Sequence, residues 1–234
     1  MKNGFSKFLR VVAIVLMGLT AVLTILAGAG TTCVALAAEK FGGKMALIAP
    51  YKWLYILFVL VTLAIGVIGV RALVQLIKGH PGSYRLALIT LIAGTVVGII
   101  HITASRLIRD DSMPVDAIVY VTVLTLIVFL ILRIPSIWEG VGLEKPVDNK
   151  NLPRNAAAIT LVLSGLLTLT VQYWAGPTHI FGGVNYADAW HHQLAIVGWG
   201  MIVLGLGSPA LPVIRRGLHQ LAASLSSRLA KGQL

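Results

Sequence analysis

Charged residues are scarce in this sequence of 234 residues. They make up 12% of it, whereas hydrophobic residues make up 57% and the mean hydropathy is +0.89. A soluble globular domain carries about a quarter charged residues, and no soluble fold of this length has enough interior to bury so many apolar side chains. The shortage of charge therefore excludes a soluble protein and predicts an integral membrane protein.

Cysteine and long polar stretches are also scarce. The single cysteine, Cys33, excludes an intramolecular disulfide and any zinc or redox motif built on paired cysteines. The sequence has no phosphate-binding glycine loop and no GxSxG nucleophile motif. No polar stretch exceeds roughly twenty residues, far below the size of a domain, so a soluble catalytic domain is excluded too.

Six apolar segments are long enough to cross a membrane, which takes about 20 residues in a helix. They predict an all-α, polytopic membrane bundle of six transmembrane helices within residues 1–214. The predicted helices cover residues 11–37, 53–77, 86–107, 115–137, 156–175 and 191–213. Pro209 and Pro212 are expected to kink or end the last of them.

The first of these segments resembles a secretory signal peptide. Lys2, Lys7 and Arg10 precede its apolar run, and small residues at 27–29 resemble a cleavage site. The apolar run nevertheless continues to about residue 38. We therefore expect the segment to be retained as the first transmembrane helix.

Basic residues alternate along the chain in a way that predicts its orientation. Fourteen of the 19 lysines and arginines lie on the two termini, on the connections after predicted helices 2 and 4, and on the helix ends next to these connections. By the positive-inside rule, both termini are expected in the cytoplasm and the protein in the cell (inner) membrane. Orientation and attraction to anionic lipid at the cytoplasmic face then explain the net charge of +11, and no nucleic-acid partner is expected.

Residues 215–234 predict a basic amphipathic tail. Leu218, Leu221, Leu225 and Leu229 recur at helical spacing, with arginine and lysine beside them. Such a helix lies in the interface plane of the lipid bilayer, here on the cytoplasmic side.

Short sequence similarities suggest that the bundle consists of three similar helical hairpins. Residues 29–33 match residues 175–179, each match is followed by Phe-Gly-Gly, and a tryptophan opens each next helix. A shorter match relates predicted helices 3 and 5. In this alignment Cys33 and His179 are equivalent, so we expect them at one membrane depth and facing a shared interior.

Potential metal ligands gather at the predicted outer ends of the helices. They are Cys33, His101, His179, Asp188, His191 and His192. Imidazole and thiolate bind copper and other transition metals, and imidazoles also serve as axial ligands of haem. The sequence therefore predicts a transition-metal or haem b site, in which His101 faces His191 or His192. Arg106 would then neutralise a haem propionate or an anionic substrate.

Each candidate also has a purely structural interpretation. His101 is compatible with a hydrogen-bonded core histidine, Cys33 with a small buried hydrophobe, and His179 with a solvated loop. Asp116 and Asp188 lie where helices begin and are compatible with N-caps. Arg106 is compatible with a side chain that extends to the interface, and Gly94 and Gly98 with close helix packing.

Three functions fit this pattern. The favoured one is a metal- or haem-binding membrane protein that acts in electron transfer, or as an accessory subunit beside other membrane subunits of a respiratory complex. The second is a small transporter or channel with a polar vestibule open to the outside. The third is a structural or assembly subunit that binds no cofactor.

Overall fold

A computed structural model describes residues 2–146, 151–181 and 183–208. Within these ranges the chain is helical apart from one two-stranded hairpin, and five helices are long and apolar enough to cross a membrane. This architecture is that of a multi-pass, all-α membrane protein, as the composition predicts.

Six long helices form the bundle, labelled in chain order. They are α1 (Lys2–Phe41), α2 (Lys52–Lys78), α3 (Ser83–Arg109), α4 (Val115–Leu132), α5 (Asn151–Leu169) and α6 (191–208). Short helices lie at Gly43–Ala46, Pro135–Val141, Val171–Trp174 and Tyr186–Ala189, with 3-10 turns at Ala49–Tyr51 and Gly176–Thr178. Strands β1 (Ile180–Phe181) and β2 (Val184–Asn185) pair in antiparallel fashion.

Helix α1 is the centre of the bundle. It packs against α2, α4 and α5, and α3 closes the ring between α2 and α4. The helix begins nine residues earlier than its apolar run, because the basic residues before the run are good helix formers. Near its other end the regular helix is interrupted at Ala37 (φ −141°, ψ 39°).

Several predicted boundaries are wrong, and proline explains two of the differences. Helix α4 ends at Leu132 and not at 137, because Ile134 precedes Pro135 and takes an extended conformation (ψ 128°). Helix α5 begins at Asn151 and not at 156, since Pro153 is tolerated in a first turn, where its missing N–H has no helical partner. The same helix ends at Leu169, and Val171–Trp174 forms a separate turn.

The turn between α2 and α3 requires glycine at position 79. Gly79 has a positive φ of 64°, and its N–H donates to the carbonyls of Gln75 and Leu76 at the end of α2. A Cβ at this position would also overlap the backbone carbonyl of Lys145. The turn is therefore held against the connection that follows α4.

Glycine also sets the closest contacts between helices. A Cβ at Gly98 would overlap the Val119 side chain on α4, whereas one at Gly94 would lie 3.4 Å from Thr122, an ordinary van der Waals distance. The predicted role in close packing is thus confirmed for Gly98, and Gly94 does not require the absence of a side chain.

Helix α6 packs on α5 through glycine. A Cβ at Gly198 would lie 2.7 Å from Leu169 and 3.0 Å from the carbonyl oxygen of Gly165. Residues 191–208 are not among the five helices that qualify as spans, and the predicted end of this helix lies outside the described residues, as do Pro209 and Pro212. The predicted amphipathic tail, residues 215–234, also lies outside them.

One end of the bundle has a dense apolar core. Its fully buried members include Ile14, Met17, Leu91 and Phe129. The guanidinium of Arg133 lies 4.6 Å from the ring of Trp138 at this end. By the charge distribution this is the end predicted to face the cytoplasm.

Candidate ligand cavity

A cavity of about 530 Å³ occupies the opposite end of the bundle. It lies between α1, the ends of α2, α3 and α4, and the connection from α5 to α6. Most of its wall is aliphatic or aromatic, with Trp174 and Trp190 among the aromatic residues. Its polar or titratable wall residues are Thr31, Thr32, Cys33, Tyr55, His101, Arg109 and His179. Ligand pockets for drug-sized molecules span about 300–1,000 Å³, so the cavity has the size of a small-molecule site.

The cavity brings together three of the residues predicted from the sequence. Cys33, His101 and His179 all lie in its wall. The equivalence of Cys33 and His179 stays a prediction, because Cys33 lies in helix α1 whereas His179 follows a 3-10 turn. The two segments matched in the repeat thus differ in conformation.

His101 is buried, with 6% of its surface exposed. The Phe58 ring stacks on its imidazole at a centroid distance of 4.2 Å, and the Tyr55 ring meets it edge-on at 5.4 Å. Among the described residues, neither an imidazole nor a carboxylate contacts this ring, and none forms a hydrogen bond with it. The cavity therefore has in its wall an imidazole with unused hydrogen-bonding capacity.

The imidazole of His179 approaches α1 at Gly30, which has no side chain. Its Nδ1 lies 2.8 Å from the carbonyl oxygen of Ala175, and a Cβ at Gly30 would be 2.9 Å from its Nε2. A carbonyl can only accept, so Nδ1 carries the proton and Nε2 is the acceptor in the neutral ring.

The other predicted ligands are elsewhere. Asp188, His191 and His192 are exposed and do not line the cavity, and His191 Nδ1 lies 3.2 Å from Oε1 of Gln172. The expected pairing of His101 with His191 or His192 is not formed. His101 lies on α3 beside α2, whereas the two adjacent histidines begin α6, which packs on α5.

Within the described ranges, no group of three or more His, Cys, Asp or Glu side chains could hold a metal ion. Cys33, His101 and His179 share a wall of the cavity without forming such a group. A compact transition-metal site of the predicted composition therefore has no support from the geometry of these residues.

The N-cap interpretation is wrong for both aspartates. The N-cap position of α4 is Pro114, and Asp116 lies in the first turn as the ion-pair partner of Arg106 (Nη2 to Oδ1, 2.7 Å). At Tyr186–Ala189 the capping side chain is Asn185, whose Oδ1 accepts the N–H groups of Ala187 and Asp188.

Arg106 is engaged within the chain. Besides its pair with Asp116, its Nε donates to Ser112 Oγ at 2.9 Å. Its charge is therefore already compensated by a carboxylate that is 6% exposed. Arg106 does not line the cavity.

Arg109 is the site residue that sequence reasoning missed. Its side chain is 4% exposed and lines the cavity, with Nη1 donating to Asp111 Oδ2 (3.0 Å) and Nη2 to the Met113 carbonyl (2.9 Å). Its Nε is buried and has no hydrogen-bond partner in the described part of the chain. A signal was available, because His101, Ser105 and Arg109 recur every four residues and so share one face of α3.

Asp111 is held by the same small network. Its Oδ1 accepts the N–H of Met113 at 3.0 Å, and this bond, together with the charge of Arg109, lowers the pKa of the Asp111 carboxyl. A lowered carboxyl pKa in the folded state stabilises the fold at neutral pH, and this contribution is lost as the pH falls through the folded pKa.

Two small cavities continue from His101 into the bundle. One of about 40 Å³ is lined by His101, Thr24 and Thr122, among others, and one of about 10 Å³ by Thr20, Thr24 and Thr122, among others. The first has room for a water molecule, and threonine hydroxyls supply polar partners for it. From Thr32 to Thr20 this series covers roughly 18 Å along α1, and it ends at the dense apolar core.

Comparison with known proteins gives no match, since no family model fits the sequence and no curated protein or solved structure is significantly similar to it.

Proposed function

We propose that the chain is a six-span protein of the cell membrane, with both termini in the cytoplasm. Five helices qualify as spans, and residues 191–208 continue as a helix that packs closely on α5. An even number of spans places both termini on one side, and the excess of lysine and arginine favours the cytoplasmic side. The cavity would then face the outer leaflet.

Cysteine labelling tests this orientation. In a Cys33→Ser background, a cysteine at position 145 is expected to react with a membrane-impermeant maleimide only from the cytoplasmic side, and one at position 184 only from outside. The expectation follows from the lysines and arginines, which are several in the connection that contains position 145 and absent from the one that contains position 184. The reverse pattern would move the cavity to the cytoplasmic leaflet, and labelling of both from one side would rule out six spans.

Within this topology, we propose that the protein binds a lipid-soluble small molecule in the large cavity. The observation that carries this proposal is a cavity of about 530 Å³ with a mainly apolar wall that contains His101 and Arg109. Apolar pockets with a few convergent polar groups are the usual form of a small-molecule site. The ligand would serve electron transfer, alone or beside other membrane subunits.

The arrangement favours an organic ligand over a bare metal ion. The described side chains do not gather three metal ligands, and the predicted axial pair of His101 with His191 or His192 is not formed. Haem stays possible only with another second ligand, and His179 is the second imidazole in the cavity wall.

A small transporter with an outward vestibule is the second candidate. The two smaller, threonine-lined cavities behind His101 favour it, because they extend the polar surface inward. Fully buried apolar residues such as Met17 and Phe129 lie beyond them, so transport would require a second conformation.

Occupation of the cavity can be tested by filling it. Ala27 lies in the wall of the large cavity and of the neighbouring cavity of about 40 Å³. Ala27→Trp is therefore expected to fill this space and exclude the ligand. Organic extraction of the purified wild-type protein should release one lipid-soluble molecule per chain, and the variant at least about tenfold less, since tenfold corresponds to 1.4 kcal/mol of binding. Mass spectrometry identifies the molecule, and a Soret band in the absorption spectrum reports haem.

Leu57→Trp is the matched control, because Leu57 is 49% exposed on the surface of the helix bundle. It introduces the same tryptophan side chain outside the cavity, and it should extract like wild type. Equal recovery from wild type and Ala27→Trp would show that the cavity is not the binding site.

A further inference from the structure

We infer that the ligand of the large cavity is a neutral, quinone-class molecule whose carbonyl oxygens accept hydrogen bonds from Arg109 and His101. This inference rests on the proposed function and names the chemical class of its ligand. It follows from the hydrogen-bonding groups that the cavity wall leaves unused.

The wall contains an unused donor. Arg109 is almost fully buried, and two of its nitrogens are committed to Asp111 and to the Met113 carbonyl. Its Nε has no partner in the described ranges, but this atom is fully covered by protein and does not face the cavity. The donors left for a ligand are the second N–H groups of Nη1 and Nη2, since a guanidinium carries five N–H groups and each Nη uses one here. A ligand oxygen that accepts one of these bonds gains affinity.

The wall also contains an imidazole without a hydrogen bond. His101 contacts Phe58 and Tyr55 by its ring faces and edges only, and the Tyr55 hydroxyl is committed to Ser105 Oγ at 2.8 Å. A neutral imidazole donates through one nitrogen and accepts through the other. It can thus donate to a quinone carbonyl or accept from the corresponding hydroxyl of a hydroquinone.

Charge favours a neutral ligand over an anionic one. Arg109 is already compensated by Asp111, which lies 3.0 Å away. An anionic headgroup would have to compete with this carboxylate or lie beside it. A carbonyl oxygen needs only one unused N–H, and it brings no charge into an apolar cavity.

The rest of the wall suits a flat ring with an apolar tail. Tyr55, Trp174 and Trp190 contribute aromatic surface, and aliphatic side chains from several helices and connections make up most of the remainder. Aromatic rings pair favourably in stacked or edge-to-face arrangements. A short-chain quinone combines the ring, the two acceptor oxygens and the tail in one molecule.

Protection of Cys33 provides a common readout for any ligand. It is the only cysteine of the chain and lies in the cavity wall, so N-ethylmaleimide reports occupation of the cavity. A short-chain ubiquinone is expected to slow the alkylation of Cys33, with a lower dissociation constant than either comparison ligand. The first comparison is an alkylbenzene of equal tail length, which has a ring but no acceptor oxygens. The second is a long-chain fatty acid, which is anionic.

Two variants remove the proposed bonds. Arg109→Lys keeps the charge beside Asp111 but removes the guanidinium with its spare Nη donors, and His101→Phe keeps an aromatic ring without hydrogen bonds. Each is expected to weaken quinone binding by about tenfold while leaving alkylbenzene binding unchanged. Lys44→Gln removes an exposed charge at the same end of the bundle and should change neither. Thermal unfolding in detergent checks that every variant is folded.

The outcomes separate this inference from the proposed function. Equal binding of quinone and alkylbenzene, both lost in Ala27→Trp, would overturn the quinone assignment and leave the cavity as a ligand site. Tighter binding of the fatty acid that depends on Arg109 would overturn it in favour of an anionic amphiphile. Protection by no ligand, with alkylation of Ala27→Trp as fast as that of wild type, would contradict the proposed function itself.

Discussion

Replacing Gly198 with leucine is expected to destabilise the protein by about 1–3 kcal/mol, because the new side chain has no space between α5 and α6. A Cβ at this position would lie 2.7 Å from the Leu169 side chain and 3.0 Å from the backbone oxygen of Gly165. Backbone cannot move aside as a flexible side chain can, so the two helices must separate. The measurement is the midpoint of thermal unfolding in detergent, followed by the monodispersity of the sample.

The same helix offers a matched control. A Cβ at Gly200 has no atom within 4 Å, only two residues further along α6. Gly200→Leu is therefore expected to change stability by less than about 0.5 kcal/mol, or to stabilise slightly, since leucine is the better helix former. Equal effects of the two substitutions would show that α6 does not pack on α5, and the proposal of α6 as a sixth span would lose its main support.

The sequence predicts the approximate positions of the five helices that qualify as spans well, because the apolar length of a span follows from the thickness of the bilayer. Boundaries depend on local chemistry that apolar length does not contain. Pro135 ends α4 early through the residue before it, whereas Pro153 is accommodated inside the first turn of α5. The length criterion treats both prolines alike.

The rotation of each helix about its axis is harder to predict. In a membrane the outward face is as apolar as the interior, so polarity does not separate them. Trp53, Leu57 and Leu60 of α2 are exposed, whereas Tyr55 and Phe58 of the same helix are buried. For this reason the sequence predicts His191 and His192 near His101 from their position along the chain, but it does not show that they lie outside the cavity.

The sequence predicts only part of the candidate site, because it indicates the position of a residue along its helix but not the direction in which its side chain points. Depth alone correctly gathers Cys33, His101 and His179 at one end of the bundle. From the sequence, Arg109 is one of the few basic residues of a predicted outer connection, so the charge pattern does not indicate that its side chain is buried. Only the tertiary contacts show that its side chain is buried beside Asp111, in the wall of the cavity.

The ion pair between Arg106 and Asp116 is expected to stabilise the junction of α3 and α4 substantially. The Asp116 side chain is 6% exposed and receives Arg106 Nη2 at 2.7 Å, whereas the Arg106 side chain is 59% exposed. Removing one partner of a fully buried pair costs about 3–5 kcal/mol, but exposed pairs contribute about 0–1 kcal/mol. Because the carboxylate is the buried partner, Arg106→Gln should cost about 2–3 kcal/mol, between these limits and nearer the first.

A double-mutant cycle separates the pair from the cost of a buried charge. Arg106→Gln leaves the Asp116 carboxylate with no cation, whereas Arg106→Gln combined with Asp116→Asn leaves two neutral amides. The double variant is therefore expected to be more stable than Arg106→Gln alone, and the coupling energy to exceed about 1 kcal/mol, as for groups in direct contact. Unfolding midpoints in detergent give all four values. A loss below about 0.5 kcal/mol in Arg106→Gln, with no recovery in the double variant, would mean that water at the exposed guanidinium already screens the pair and that helix packing alone holds α3 to α4.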